Sequence, residues 1–204
     1  MSANSLVIID TGCANIASVK FAAQRIGLNV SVSSDLAEIK KAQRVILPGV
    51  GSAPAAMLSI QQKGLVECIQ SLTQPVLGVC LGMQLMVTES EENHLGNHAT
   101  IPCLNLIPGV VAKMQVGDLR LPHMGWNQVT SAQPNPLFKG IDDGTYFYFV
   151  HGYAVAQSDY TLATCHYHQT FSAAIHHNNF YGVQFHPERS SDAGAQLLKN
   201  FSRI

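Results

Sequence analysis

The segment Gly78-Val79-Cys80-Leu81-Gly82 lies between an apolar run and a helical pattern. A side chain at the tip of a sharp strand-to-helix turn is crowded by the residues two before and two after it. Gly78 and Gly82 remove that crowding, as in a nucleophile elbow with Cys in place of Ser. The following helix directs its N-terminal dipole at the sulfur, and the backbone N–H of Leu81 points where an oxyanion forms on an attacked carbonyl. Most lone cysteines are buried structural residues, and that reading is kept for Cys13, Cys68, Cys103 and Cys165.

A base follows at His186-Pro187-Glu188. In extended chain, residues two apart point to the same side. Pro187 fixes its own φ and holds His186 extended, so His186 and Glu188 share a face, giving a base and the carboxylate that orients it. Alone this is a surface His beside a turn proline; with Cys80 it completes a triad. Pro48-Gly49-Val50-Gly51 lets backbone approach a ligand, and glycines around Val50 permit a peptide flip. Glu92 can pair with a substrate ammonium or stand as a solvated helix-end charge. His166, His168, His176 and His177 bring no further ligand at helical spacing, so no metal is expected.

The elements that must position these residues alternate in the first half. Apolar strands are expected at Leu6–Ile9, Val45–Leu47 and Val76–Val79, and an alternating strand at Leu28–Ser33. Helices are expected from Asn15 to Ile26, after Asp35 with Glu38 as a capping pair, through Met57 to Leu72, and from Leu81. That order implies an open, mostly parallel central sheet with helices on both faces, and ligands sit outside the carboxyl ends of such strands. Gly49–Gly51 and Cys80 then share one rim. Later strands at Thr145–Val150, Tyr160–His166, Phe171–His176 and Phe180–Phe185 imply an antiparallel extension, closed by a helix from Ala193 to Phe201.

Composition bounds the rest. A chain of 204 residues fits one α/β domain, residues 1–204. Charged residues make up 12%, half the usual share of about 25%, and the net charge is −1. No basic stripe exists to bind nucleic acid, and no apolar stretch reaches a membrane span. Five cysteines without a CxxC pair or a secretion signal point to reduced thiols in the cytoplasm. Sparse charge also suits a surface covered by a partner.

Gly-Val-Cys-Leu-Gly-Met-Gln (78–84) with Phe-His-Pro-Glu (185–188) resembles the class I, triad-type glutamine amidotransferases. Within them the chain is most similar to the glutaminase subunits of imidazole glycerol phosphate synthases. That likeness spans nearly the whole chain through residues 10–15, Pro48–Gly51, Ser90–Glu92, Pro122–Asn127 and Tyr148–Tyr153. The segment at 122–127 argues against sister enzymes serving anthranilate, pyridoxal phosphate or guanylate synthesis. The intact Cys80, His186 and Glu188 argue against a catalytically silent binding protein, and a free-standing cysteine hydrolase needs activity without a partner.

The resemblance implies that Cys80 attacks the side-chain amide of glutamine, with the oxyanion held by Leu81 and by Gly49, Val50 and Gly51. His186 moves the proton and Glu188 orients it. Gln84, Glu92 and backbone near Gly152 and Tyr153 hold the substrate's α-carboxylate and α-amino ends. Gly152 stands where the family usually has Ser, which leaves a backbone contact. No cofactor is implied. The partner is a (β/α)8-barrel cyclase, bound as a heterodimer, that uses the ammonia to make imidazole glycerol phosphate and an aminoimidazole carboxamide ribotide. Asn15, His123, Met124, Trp126 and Arg189 face that barrel. Ammonia is mostly protonated in neutral water and ammonium is no nucleophile, so a shielded route between the two sites is expected.

Overall fold

The computed structural model describes residues 5–12, 16–93 and 99–204. Asn15 and Cys13 lie outside the described residues. The elements run β1 (Ser5–Ile9), α1 (Ile16–Arg25), β2 (Asn29–Ser33), α2 (Leu36–Lys41), β3 (Arg44–Leu47), α3 (Ala53–Gln62), α4 (Leu65–Gln70), β4 (Val76–Val79) and α5 (Leu81–Met86). They continue as β5 (Val87–Ser90), β6 (Ile101–Pro102), β7 (Ile107–Lys113), β8 (His123–Ser131), β9 (Thr145–His151), β10 (Tyr153–Val155), β11 (Thr161–Tyr167), β12 (Gln169–His177), β13 (Phe180–Val183) and α6 (Ser191–Phe201).

The larger sheet has the order β2-β1-β3-β4-β13-β12-β11-β8-β9. Its first five strands pair in parallel and the remaining four add on antiparallel. A smaller sheet runs β10-β7-β5-β6. The inner parallel strands β1, β3, β4 and β13 bury both faces, while the edge strand β2 is mostly exposed. Leu6, Ile8, Ile46, Leu77 and Val79 join α1 and α6 in one core; Val7, Ile9, Val45, Leu47 and Val76 join α2 to α5 and the smaller sheet in the other. Strand periodicity thus divides the core in two.

Local chemistry sets the helix ends. Asp35 accepts from the Glu38 N–H at 2.9 Å and caps α2, as the sequence predicts. The continuous helical stretch expected over Met57–Leu72 is instead two helices. Gly64 adopts φ 65°, a left-handed conformation that ends α3 and starts α4. The elbow helix is also shorter than its apolar run suggests. After Met86 the β-branched Val87 and Thr88 enter β5.

The ends of β3, β4 and β13 lie side by side, with Leu47 opposite Gly78 and Val183 opposite Val79. That register brings the Gly49 loop, Cys80 and the chain leading to His186 to one rim.

Candidate active site

Cys80 sits at φ 53° and ψ −111°, a conformation sparsely populated by residues with a Cβ. Its N–H donates to the Val183 carbonyl at 2.8 Å, which ties the turn to the end of β13. A Cβ on Gly78 would stand 2.8 Å from the Gly82 carbonyl, and one on Gly82 would overlap the Leu47 carbonyl oxygen. Both glycines therefore serve the close approach of β4, α5 and β3. With only six residues, α5 offers the sulfur a smaller dipole than a full-length helix.

The Cys80 thiol donates to the Val150 carbonyl at 3.9 Å and accepts from Gln184 Nε2 at 3.8 Å. His186 Nδ1 donates to Glu188 Oε1 at 2.7 Å. This closeness arises differently from the expectation. Residues 187–189 form a 3-10 turn that bends Glu188 back under the ring, rather than an extended pair. The Nδ1–H tautomer leaves Nε2 toward the sulfur. Nε2 is enclosed and has no hydrogen-bond partner among the described residues. Burial pushes the imidazole down, but the Cys80 sulfur and the Glu188 carboxylate outweigh it and raise it to about 10. A protonated His186 is then a counter-ion for a sulfur anion and a ready proton donor. The buried Cys103 and Cys165 differ: desolvation drives their thiols up to about 12, with Glu89 and Glu92 adding to the effect at Cys103. Thiols held protonated in this way are poor nucleophiles.

A cavity of about 400 Å³ opens above the sulfur. It is lined by all three triad residues, by Gly49, Val50, Gly51 and Leu81, and by Gln84, Glu92, Gly152 and Tyr153. Arg189 joins them, with Val150 and His151, which belong to the Tyr148–Tyr153 segment but to which the sequence assigns no role of their own. Leu81 is the first residue of α5, so its N–H has no intrahelical acceptor. Gly49 packs so tightly on Leu81 that a Cβ would lie 2.6 Å from the Leu81 side chain. Gly51 holds φ +94°. The solvated helix-end reading of Glu92 is not what the structure has. Glu92 follows β5, lines the cavity and accepts from the Ala53 N–H at 2.7 Å.

Gln84 Nε2 donates to the Tyr153 carbonyl and to Gln184 Oε1, each at 2.9 Å. Both amide hydrogens are spent, so Gln84 offers the cavity its carbonyl oxygen, an acceptor suited to an ammonium. His151 Nδ1 donates to the same Tyr153 carbonyl at 2.8 Å.

The expected partner face divides. Met124 and Trp126 on β8 are 63% and 51% exposed. Arg189 lies 5.8 Å over the Tyr148 ring, which Trp126 meets edge-on. His123 is a correction: it is 3% exposed, stacked between Phe149 and Tyr167, and bonded to His151. Inward residues of β8 alternate with outward ones, which carries His123 into the core. Among the described residues no group of three His, Cys, Asp or Glu could hold a metal.

A parallel rim that presents a cysteine elbow to a histidine–glutamate pair over one cavity defines a triad hydrolase of the amidotransferase type. Residues 7–204 match the family described as glutamine amidotransferase class-I, and the chain belongs to that family. It is 50% identical over 204 residues to the imidazole glycerol phosphate synthase subunit HisH 1 of Vibrio vulnificus, covering 100% of both chains. It is 54% identical over 196 residues to subunit HisH of Yersinia pseudotuberculosis, covering 96% of this chain and 97% of that one. Among solved structures, a putative GMP synthase component from Thermoplasma acidophilum superposes with a TM-score of 0.74 at 17% identity. That match covers 100% of this chain and 94% of the other and shows the shared fold.

Proposed function

We propose that this chain is the glutamine-hydrolysing subunit of an imidazole glycerol phosphate synthase, working in histidine biosynthesis. The observation that carries the reading is the alignment of Cys80, His186 and Glu188 beneath one cavity of substrate size. Full-length identity of about half to the HisH subunits supports the choice of synthase.

Glutamine enters with its side-chain amide over Cys80. Its α-ammonium meets the Gln84 carbonyl oxygen and Glu92, and its α-carboxylate meets backbone at Gly152 and Tyr153. The sulfur attacks the amide carbon, and the Leu81 N–H with the Gly49–Gly51 backbone takes the oxyanion. His186 hands its Nε2 proton to the leaving nitrogen, and ammonia departs from the glutamyl thioester. Neutral His186 then draws a proton from water, which attacks the thioester and releases glutamate. Glu188 holds the ring throughout.

Ammonia must reach its acceptor unprotonated, which favours direct delivery to a (β/α)8-barrel cyclase docked as a heterodimer. Met124, Trp126 and Arg189 form the exposed part of the docking face, with Asn15 assigned to it by resemblance alone. The glycines beside Val50 permit the partner to set the oxyanion loop. The test is glutamine hydrolysis by the purified chain, alone and with the cyclase plus its nucleotide ligand. Strong stimulation that disappears in Cys80→Ala is expected. Equal turnover without the partner would remove the gating, and no turnover in either case would remove the glutaminase reading.

A further inference from the structure

Gln184 is fully buried and lies between the end of β13 and His186. Its backbone N–H is used on Ala173 at 2.9 Å, which leaves the side chain as the part that meets the site. Because Val183 stands opposite Val79, the next residue stands opposite Cys80. The amide has two ends and both are engaged. Oε1 accepts from Gln84 Nε2 at 2.9 Å, and Nε2 donates to the Cys80 sulfur at 3.8 Å. Gln84 donates its other hydrogen to the Tyr153 carbonyl, which fixes which end of each amide is which.

Two partners of the sulfur respond differently when it ionises. The bond to the Val150 carbonyl requires the thiol hydrogen and is lost with it. The bond from Gln184 becomes charge-assisted and stronger. We propose that Gln184 is a positioning residue for the glutaminase reaction: one end of its amide retains the Cys80 sulfur anion in the attack position, and the other turns the Gln84 carbonyl oxygen toward the substrate ammonium. One buried side chain thus couples the nucleophile to the group that reads the far end of the substrate. This rests on the glutaminase reading for its kinetic consequences but not for its effect on the sulfur.

The two ends separate by substitution. Gln184→Glu keeps an acceptor for Gln84 and places a carboxylate oxygen beside the sulfur. Gln184→Met keeps the length and removes both bonds. Iodoacetamide alkylation of Cys80, followed by mass spectrometry from pH 5 to 10, reads the sulfur without substrate. Glutamine turnover in complex with the cyclase reads kcat and KM. In Gln184→Glu the alkylation midpoint should move up by about one pH unit or more and kcat should fall about tenfold or more, with KM within about threefold of the parent. In Gln184→Met both the midpoint and KM should rise.

Folded variants with the parent's alkylation profile would overturn the sulfur role, and an unchanged KM in Gln184→Met would overturn the Gln84 role. Should neither variant fold, the side-chain amide resonance of Gln184 in the isotope-labelled parent serves instead. It should titrate with Cys80 and shift on alkylation, and an unmoved resonance would overturn the proposal. A parent that hydrolyses no glutamine but keeps the alkylation response would sink the glutaminase reading and leave the sulfur contact standing.

Discussion

His123 Nδ1 and His151 Nε2 stand 3.0 Å apart in the core, and the proton between them belongs to His123. The Tyr153 carbonyl requires a hydrogen on His151 Nδ1, which leaves His151 Nε2 as acceptor. Asn127 Nδ2 in turn donates to His123 Nε2 at 3.2 Å. Both rings are therefore neutral and locked as tautomers. A polar chain passes from β8 to the Tyr153 carbonyl, where Gln84 also ends.

Burial depresses both imidazoles, His123 to about 4 and His151 to about 3. Below the unfolded value of about 6.5 the unfolded chain binds protons that the folded chain refuses. Stability from this pair is thus present above pH 6.5 and lost as pH falls toward 4. Urea midpoints should drop across that window. His123→Phe should flatten the slope by up to about 1.4 kcal/mol per pH unit, the value for one proton. An equally steep slope in the variant would place the acid sensitivity elsewhere.

His186 has the opposite sign. Its folded value is raised to about 10, so its contribution is whole below pH 6.5 and is lost as pH rises through 10. Replacing Glu188 by Gln keeps the shape and removes the charge. Glutamine turnover with the cyclase is expected to fall by about 10²–10⁴-fold, the usual range for disabling a proton-transfer group. The loss of stability above pH 6.5 should be smaller and complete at a lower pH. Turnover within a factor of three of the parent would show that the carboxylate does not support His186.

Glu92 serves two elements at once: it lines the cavity and accepts from Ala53, the first residue of α3 and the end of the Gly49–Gly51 loop. Glu92→Gln retains an acceptor for Ala53 and loses the charge that meets an ammonium. A rise in KM for glutamine of about tenfold or more is expected, in keeping with ~1.5–3 kcal/mol for a hydrogen bond to a charged group. The kcat should change little. A fall in kcat with KM constant would point instead to the loop as what Glu92 controls.

The legible parts of this chain are those where one periodicity dominates. Val45–Leu47 and Val76–Val79 are buried on both faces and read as strands at once. β8 does not, because its outward positions hold Met124 and Trp126 while its inward ones hold His123 and Asn127, reversing the apolar alternation. β7 begins Ile107-Pro108-Gly109, which reads as a turn. The triad is visible because its spacing is local to two segments. Gln184 is not, although it lies two residues before His186 and shares its chain. Its role depends on a strand pairing 104 residues from Cys80 that no local pattern encodes.

Three glycines of the site differ in what surrounds them, and substitution should rank them. At Gly82 a Cβ would overlap the Leu47 carbonyl oxygen, which belongs to the central sheet and cannot move aside. Gly82→Ala should therefore cost more than about 3 kcal/mol or abolish folding, as overpacking against backbone does. At Gly49 the obstacle is the Gly82 N–H and the Leu81 side chain at 2.6 Å, part of the elbow itself. Gly49→Ala should push the elbow and its loop apart, lowering turnover more than stability. Gly152 is the contrast: a Cβ there meets only Leu121, at 3.8 Å and 3.9 Å, and its φ lies outside the left-handed region. Gly152→Ser should fold with stability within about 0.5 kcal/mol of the parent. Its hydroxyl would face the cavity as an added donor beside the proposed carboxylate contact, so KM for glutamine should hold or fall. Urea melts and glutamine kinetics on the three variants check the order. A Gly82→Ala chain as stable as Gly152→Ser would mean that β3 and the elbow do not pack as closely as the register of Leu47 and Gly78 requires.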